Sequence, residues 1–155
     1  MPERSAFLEE LRQYYALWHA FDRTYEAWAK ARGLSLNELT VLEVLCESTG
    51  DCTQKKICEE WLLPKQTVNM ILKGFVEKGY VTLRPMERDK RSKALCLTAA
   101  GRAYADAVLS ELQEMELYAA KRMGLARMRR MNEICEEFLA LFKEAGGQQE
   151  HEANV

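Results

Sequence analysis

The fold is decided by residues 53–98, which read TQKKICEEWLLPKQTVNMILKGFVEKGYVTLRPMERDKRSKALCLT. A first helical pattern begins at Thr53, whose hydroxyl can cap the free amides of a first turn. It ends before Pro64, because the residue that precedes a proline is pushed out of helical geometry. A second pattern runs from Lys65 to Gly79, a residue that tolerates the positive φ found at helix C-termini. The spacing therefore predicts two short helices joined by a tight turn.

The second of these helices has one apolar and one polar face. Its apolar residues recur at helical spacing and are Val68, Ile71, Leu72, Phe75 and Val76. The opposite face carries Lys65, Gln66, Asn69, Met70 and Lys73. Long polar side chains near the N-terminal end are typical of a recognition helix, which contacts base edges in the major groove of DNA. The polar face is therefore the candidate DNA-reading surface.

After Gly79 the sequence pattern changes from helical to alternating. Residues 80–84 and 93–98 are predicted to be strands, because they alternate and are rich in β-branched and apolar residues. The tip between them is charged, and its cations are Arg88, Lys90 and Arg91. A basic tip beside a recognition helix is typical of a wing, whereas the alternative is a solvated surface hairpin. The predicted fold class is mainly α with a small β-wing, a winged helix-turn-helix.

The distribution of charge favours a nucleic-acid partner, although the whole chain has a net charge of −2. Residues 53–93 hold ten Lys and Arg residues against five Asp and Glu residues, so this segment carries +5 and the remainder −7. A basic surface on an acidic body gives a directional electrostatic footprint that suits a polyanion. Double-stranded DNA is therefore a predicted partner.

Long helices are predicted on both sides of this segment. The first, over residues 5–32, has an aromatic stripe with the four-three spacing of a heptad. The stripe consists of Phe7, Leu11, Tyr14, Trp18, Phe21, Tyr25 and Trp28. Ser35 and Glu38 form a capping box that starts a core helix, and residues 99–144 form two helices interrupted by Gly124. One protomer has too little surface to cover these stripes, so a homodimer is predicted.

The predicted organisation is a single domain over residues 1–146. Within it, residues 5–32 and 99–144 are the helical dimerisation region and residues 35–98 the winged helix-turn-helix, and a polar, disordered tail follows at 147–155. No apolar run approaches the ~20 residues that a membrane span needs, and no signal-like segment opens the chain. A soluble, cytoplasmic protein without a membrane partner is expected.

Three short motifs occur in a fixed order along the decisive stretch. They are Glu77-Lys78-Gly79-Tyr80-Val81, Asp89-Lys90-Arg91 and Leu97-Thr98-Ala99-Ala100-Gly101. Together they resemble the MarR family of bacterial transcription regulators, in which the wing arginine enters the minor groove and the wing aspartate holds the loop. By this resemblance Arg91 is the candidate for the minor groove and Asp89 its support. Met70 departs from the family pattern, because many relatives have a basic residue there, and base preference is therefore not carried over.

The resemblance also implies a mechanism. A homodimeric member of this family binds a pseudo-palindromic operator, acts by default as a repressor, and responds to small aromatic or anionic effectors near the junction of the dimerisation helices and the winged module. The matching surface here is the aromatic side of the first helix, with Tyr14, Trp18, Phe21 and Tyr25 as candidates. Ordinary core and dimer packing is the alternative role for each of them.

Few residues favour any other chemistry. Five cysteines are expected to be reduced thiols, and their spacing matches no common metal motif. If one of them senses oxidants, Cys52 is the candidate, because its loop is expected to be exposed beside Lys55 and Lys56. His19 and His151 are the only histidines, whereas a zinc site needs about four ligands. No phosphate loop, H-E-x-x-H motif or nucleophile elbow is present, so neither an enzyme nor a metal or other cofactor is predicted.

The predicted DNA contacts fall into three groups. At a helix N-terminus, phosphates are contacted by Thr53, Gln54 and Lys55. The major groove receives Lys65, Gln66, Thr67, Asn69 and Lys73, and the wing supplies Arg88, Lys90 and Arg91. Gln66 and Asn69 are the candidates for base edges, because amides pair bidentately with adenine. The alternative function is a winged-helix protein-interaction adaptor that does not bind DNA, which expects an apolar recognition face of the kind that Met70 alone suggests.

Overall fold

The structure is a computed structural model that describes residues 2–48, 52–86 and 93–153. In chain order its elements are α1 (Pro2–Lys30), α2 (Leu36–Glu47), α3 (Gln54–Trp61), α4 (Lys65–Glu77), β1 (Val81–Pro85), β2 (Lys93–Leu97), α5 (Ala99–Met123) and α6 (Leu125–Ala153). The described residues are thus mainly helical with one small antiparallel sheet, which confirms the predicted winged helix-turn-helix class.

Internal contacts divide the chain into two compact units, Met1–Ala107 and Val108–Val155. The first unit holds the elements from α1 to β2 and the start of α5. The second holds the rest of α5 and α6. The single domain expected over residues 1–146 stays a prediction.

The core of the first unit is built from the apolar faces of α2, α3 and α4. At most 2% of the surface is exposed for Leu39, Val41, Leu42, Ile57, Val68 and Phe75. Burying one such side chain stabilises the fold by about 1.5–3 kcal/mol. Both α2 and α3 pack against α4, so the face of α4 that carries Val68, Leu72 and Phe75 is covered. The polar face of α4 is thereby turned outward.

Local hydrogen bonds fix the helix ends that the sequence predicts. Ser35 Oγ accepts the amide of Glu38 at 3.2 Å, and the Glu38 carboxylate accepts the amide of Ser35 at 2.8 Å, which is the predicted capping box. Thr53 caps α3 in the same way, with a backbone amide at 3.2 Å from its hydroxyl. Gly33 and Gly79 stand at positive φ, +74° and +72°, just beyond α1 and α4. The predicted caps at Ser35 and Thr53 and the predicted helix end at Gly79 are confirmed.

The turn between α3 and α4 contains a strained residue. Leu62 has φ 51° and ψ 33°, a left-handed conformation that costs a residue with a side chain about 1–2 kcal/mol. Its surface is 88% exposed, so packing within the described residues does little to offset this strain. The sequence predicts the helix break at Leu63 and Pro64, whereas α3 ends at Trp61 and the turn begins at Leu62.

The sheet is a two-stranded antiparallel hairpin. Val81 pairs with Leu97 and Pro85 with Lys93, so the two strands are in register over five residue pairs. Cys52 adds an isolated bridge to β2, where its carbonyl accepts the amide of Leu95 at 2.7 Å. This bridge ties the segment before α3 to the sheet.

A compact joint holds the end of α4 against the start of α5 within the first unit. The Thr98 hydroxyl donates to the carbonyl of Gly79 at 2.6 Å and accepts the amide of Gly101 at 3.0 Å, so it caps α5. A Cβ at Gly101 would overlap the carbonyl oxygen of Tyr80. The rings of Tyr80 and Tyr104 stack with centroids 4.5 Å apart. The backbone of Tyr80 therefore leaves no room for a side chain at Gly101, the glycine of the Leu-Thr-x-x-Gly motif.

The second unit is helical throughout its described length. Gly124, at φ +87°, separates α5 from α6 as predicted. The prediction of a disordered tail over residues 147–155 is wrong for residues 147–153, because α6 continues to Ala153. Glutamine, glutamate and alanine dominate this stretch, and their high helix propensity outweighs the polar composition on which the prediction rested. Among the described residues, no helix combines the length and apolar content needed to span a membrane.

Candidate nucleic-acid interface

The outward face of α4 borders an open concavity of about 910 Å³ in the first unit. Six of the predicted DNA contacts line it, namely Thr53, Gln54, Lys55, Lys65, Asn69 and Lys73. Its apolar floor includes Leu72, Val76 and Leu83. Four lysines and two glutamates among the lining residues leave it with a positive formal charge. The structure thus brings together residues of α3, α4 and the sheet that are distant in sequence.

The N-terminus of α3 is tied to the N-terminus of α4. The Gln54 side-chain amide donates to the carbonyl oxygen of Lys65 at 3.2 Å. This hydrogen bond fixes the position at which the recognition helix begins. The free backbone amides of the first turn of α3 point away from the helix and suit an anionic group such as phosphate. Gln54 is therefore a positioning residue for α4 in addition to its predicted phosphate contact.

The lysines of this face are held only loosely by neighbouring carboxylates. Lys55 lies 3.7 Å from Glu59 and Lys73 lies 3.9 Å from Glu77, each pair one helical turn apart and more than half exposed. Exposed pairs of this kind contribute about 0.3–0.5 kcal/mol. A phosphate group can therefore replace the carboxylate at little cost, and the lysines remain available to a polyanion.

Two predicted major-groove residues lie outside the concavity. Gln66 is exposed on the outer crest of α4, and Thr67 is half-buried. Met70 lies one helical turn after Gln66 on the same crest. The predicted recognition residues therefore occupy both the crest and the concave side of α4.

The wing tip falls outside the residues that the structure describes. Arg88, Lys90 and Arg91, with Asp89 as their predicted support, all lie there, so their roles stay predictions. The base of the wing is described. Arg84 Nε donates to Cys96 Sγ across the two strands at 3.0 Å.

Sequence reasoning missed the contribution of the strands to this surface. Leu83 and Lys93 line the concavity together with residues of α3 and α4. Strand alternation alone does not identify them, because it shows that Leu83 and Lys93 lie on strands but not which side of the sheet faces α4. Lys93 adds a cation at the edge of the concavity and extends the candidate interface toward the wing.

The candidate thiol sensor does not fit its predicted setting. Cys52 is buried, with 1% of its surface exposed, so the prediction of an exposed reactive thiol there is wrong. Its bridge to β2 draws the residue into the core. Burial raises the pKa of the half-buried Cys46 thiol, against the opposing charge of Arg102, and so disfavours the reactive thiolate. Among the described residues, no group of three or more His, Cys, Asp and Glu could hold a metal ion.

The aromatic side of α1 is only partly covered. Trp18 and Phe21 are 52% and 57% exposed, whereas Tyr14 and Tyr25 are half-buried. The rings of Tyr14 and Trp18 meet edge to face with centroids 6.0 Å apart. These four residues lie on one helix in the first unit, and their role as an effector site stays a prediction.

The sequence and the fold described above match known proteins. Residues 32–92 match the sequence model of the MarR family. The HTH-type transcriptional regulator Hpr of Shouchella clausii is 29% identical over 87 residues, which are 56% of this chain and 44% of that relative. The chain thus aligns with less than half of the length of this relative.

Two solved structures share the fold over most of the chain. NMB1585, a MarR family regulator from Neisseria meningitidis, has a TM-score of 0.73 at 27% identity and covers 90% of this chain and 98% of its own. MepR of S. aureus, in a complex with DNA, has a TM-score of 0.69 at 19% identity over 82% of this chain and 96% of its own. The family model covers α2, α3, α4 and β1, and the Neisseria regulator covers 90% of the chain. By sequence over residues 32–92 and by fold over most of its length, this chain is similar to the MarR family.

Proposed function

We propose that this protein is a transcription regulator that binds double-stranded DNA as a homodimer at a pseudo-palindromic operator. The observation that carries the proposal is the cationic concavity, which brings Thr53, Gln54 and Lys55 together with Lys65, Asn69 and Lys73. The occurrence of the same fold in MepR, which has been solved in complex with DNA, supports it further. By default such a regulator represses transcription by occupying its operator.

In this proposal α4 enters the major groove. Gln66 and Asn69 pair with adenine edges, because a side-chain amide offers the donor and acceptor that adenine N7 and N6 require. Lys65 and Lys73 neutralise phosphates on either side, and Gln54 sets the start of α4 through its hydrogen bond to Lys65. Arg91 at the wing tip enters the adjacent minor groove, with Asp89 as its support. Each half-site then receives one winged module.

The dimer is supported by the apolar surface that one chain leaves uncovered. On α1, Phe7, Trp18 and Phe21 are each more than half exposed. On α6, Phe138 and Phe142 stack on each other with most of Phe142 exposed. Apolar area contributes about 25 cal/mol per Å² when removed from water, so a second copy has a strong reason to cover these helices. Two winged modules then read half-sites about 34–36 Å apart.

An effector site on α1 completes the proposal. Tyr14, Trp18, Phe21 and Tyr25 offer ring surfaces to a small aromatic or anionic molecule. Binding there is expected to quench tryptophan fluorescence, and Trp18→Phe removes that signal if Trp18 is in contact. Quenching that persists in Trp18→Phe, or no release of DNA upon ligand binding, would place any effector elsewhere.

The test is a titration of the protein against random-sequence duplex DNA at two salt concentrations, with its mass in solution measured alongside. Each phosphate contact adds about 0.9 to the slope of log affinity against log salt. We expect a dimer whose binding falls steeply with salt. Because a homodimer presents each residue twice, Lys73→Ala and Arg91→Ala should each weaken binding and reduce the slope by about 2.

The matched control is Lys143→Ala, which removes an exposed lysine from α6 and should leave affinity and slope unchanged. A monomer that binds no duplex at low salt would refute the proposal and favour the alternative, a winged-helix adaptor for proteins. An unchanged slope in Arg91→Ala would remove the wing tip from the mechanism while leaving the rest in place.

A further inference from the structure

The crest of the recognition helix carries one large apolar side chain. Met70 has 73% of its surface exposed, although it lies in the middle of a helix whose apolar residues are otherwise mainly on the covered face. Its side chain faces away from Val68, Leu72 and Phe75, which are all buried. Within the described residues the fold therefore does not use Met70 for packing.

The neighbours of Met70 on the helix surface are the predicted DNA contacts. Residues three and four apart lie side by side on a helix, which places Met70 next to Gln66, Thr67 and Lys73. Any duplex that Gln66 and Lys73 contact also meets Met70. A long apolar side chain at that position contributes to binding only if it contacts an apolar group of the DNA. Against a polar base edge it would displace water without making a favourable contact.

The residue one turn further along leaves room for a close approach. Gly74 lies inside α4, where glycine is about 0.5–1 kcal/mol less favourable than alanine. A Cβ added to Gly74 would meet no atom within 4 Å. Packing inside the described chain therefore does not require a glycine here. Because Gly74 has no side chain, the edge of a base pair can come close to the helix backbone beside Met70.

The major groove offers a single apolar group, the C5-methyl of thymine. Gln66 favours adenine edges, and one helical turn of 5.4 Å spans one to two base-pair steps of about 3.4 Å. Met70 then lies over a base pair close to the one that Gln66 contacts. We propose that Met70 is a specificity-determining residue that packs against the C5-methyl of one thymine in each half-site. This inference rests on the proposed function, since it requires α4 to lie in the major groove.

The test compares thymine with uracil, which lacks only the C5-methyl. A preferred duplex is first selected from a random library with the full chain, and each thymine is then replaced singly by uracil. Burying one methyl group corresponds to about a fourfold change in affinity. We expect about a fourfold loss at one thymine of each half-site and about a fifteenfold loss when both symmetric positions are changed.

Variants at position 70 identify the side chain responsible. Met70→Ala removes the contact in both half-sites, so it should bind the thymine duplex about fifteenfold more weakly and show no further loss with uracil. Met70→Leu keeps an apolar side chain and should retain the discrimination, whereas Met70→Gln keeps the length but not the apolar character and should lose it. Because Met70 is exposed, all three variants are expected to fold, which circular dichroism checks.

The outcomes separate this inference from the function on which it rests. Wild-type protein that binds its selected duplex with a steep salt dependence but tolerates uracil at every position would overturn the role of Met70 alone. The same uracil loss in Met70→Ala as in wild type would assign the methyl contact to another residue. Failure to bind or select any duplex at low salt would overturn the proposed function itself.

Discussion

The helix-turn-helix segment and the terminal helices differ in the burial of their apolar residues. In the segment, Ile57, Val68 and Phe75 are at most 1% exposed. In α1 and α6, aromatic residues at equally regular spacing remain open, and Phe142 reaches 70% exposed. The first region buries its apolar residues in a core of its own, whereas α1 and α6 leave aromatic side chains exposed. Regular spacing therefore predicts that a face will be buried but does not identify its partner.

The largest effect that tests this contrast is expected at Phe75. Phe75→Ala removes the largest fully buried side chain of the first unit and leaves a cavity, which should lower the free energy of unfolding by about 3–5 kcal/mol. Urea denaturation followed by circular dichroism measures the loss. Thr82→Ala, a substitution at an exposed position of β1, should stay within about 0.5 kcal/mol of the wild type. A loss below about 1 kcal/mol in Phe75→Ala would mean that this core is not closed within the chain.

The next effect concerns the joint between α4 and α5. Gly101→Ala places a Cβ against the Tyr80 carbonyl oxygen, and the resulting shift of backbone should cost about 1–3 kcal/mol. The matched control is Gly146→Ala in α6, where a Cβ meets nothing within 4 Å and the added helix propensity should be neutral or stabilising. Equal stabilities of the two variants in urea denaturation would contradict the close approach at Tyr80.

Sequence reasoning succeeded where the cause is local. The capping box at Ser35, the N-cap at Thr53 and the positive φ at Gly79 depend on neighbouring residues, so the printed sequence contains the whole interaction. It failed where the cause is remote. The stacking of Tyr80 on Tyr104 and the burial of Cys52 against β2 join residues that only the tertiary fold brings together.

The candidate interface shows the same division. The lysines and amides of α4 were found from one helical face, because helical spacing determines which residues share it. Leu83 and Lys93 were missed, since the side of the sheet that faces α4 depends on how the hairpin packs. Their side of the hairpin is set by long-range contacts, which no local pattern records.

A smaller effect tests the uncovered stripe on α6. Phe142→Ala should weaken self-association about tenfold, equivalent to about 1.4 kcal/mol, because an aromatic side chain at an interface loses its buried area. Sedimentation equilibrium over a range of protein concentrations measures the dimer dissociation constant. Glu137→Ala on the same helix is exposed and polar and serves as the control. If both variants associate equally well, the stripe of α6 does not lie in the dimer interface.

The smallest effect concerns Leu62, which is, like Met70, an apolar residue of the helix-turn-helix that remains exposed. Its left-handed conformation carries strain that glycine does not, so Leu62→Gly should raise the free energy of unfolding by about 1 kcal/mol despite the greater freedom of glycine in the unfolded chain. Lys143→Gly, at an exposed polar position inside α6, should change stability by about the same amount in the opposite direction, because there glycine only weakens a helix. Opposite signs in urea denaturation would show that Leu62 is held by the turn and not by packing. A loss of stability in Leu62→Gly would instead mean that its exposed side chain is covered, as the residues of the terminal helices are proposed to be.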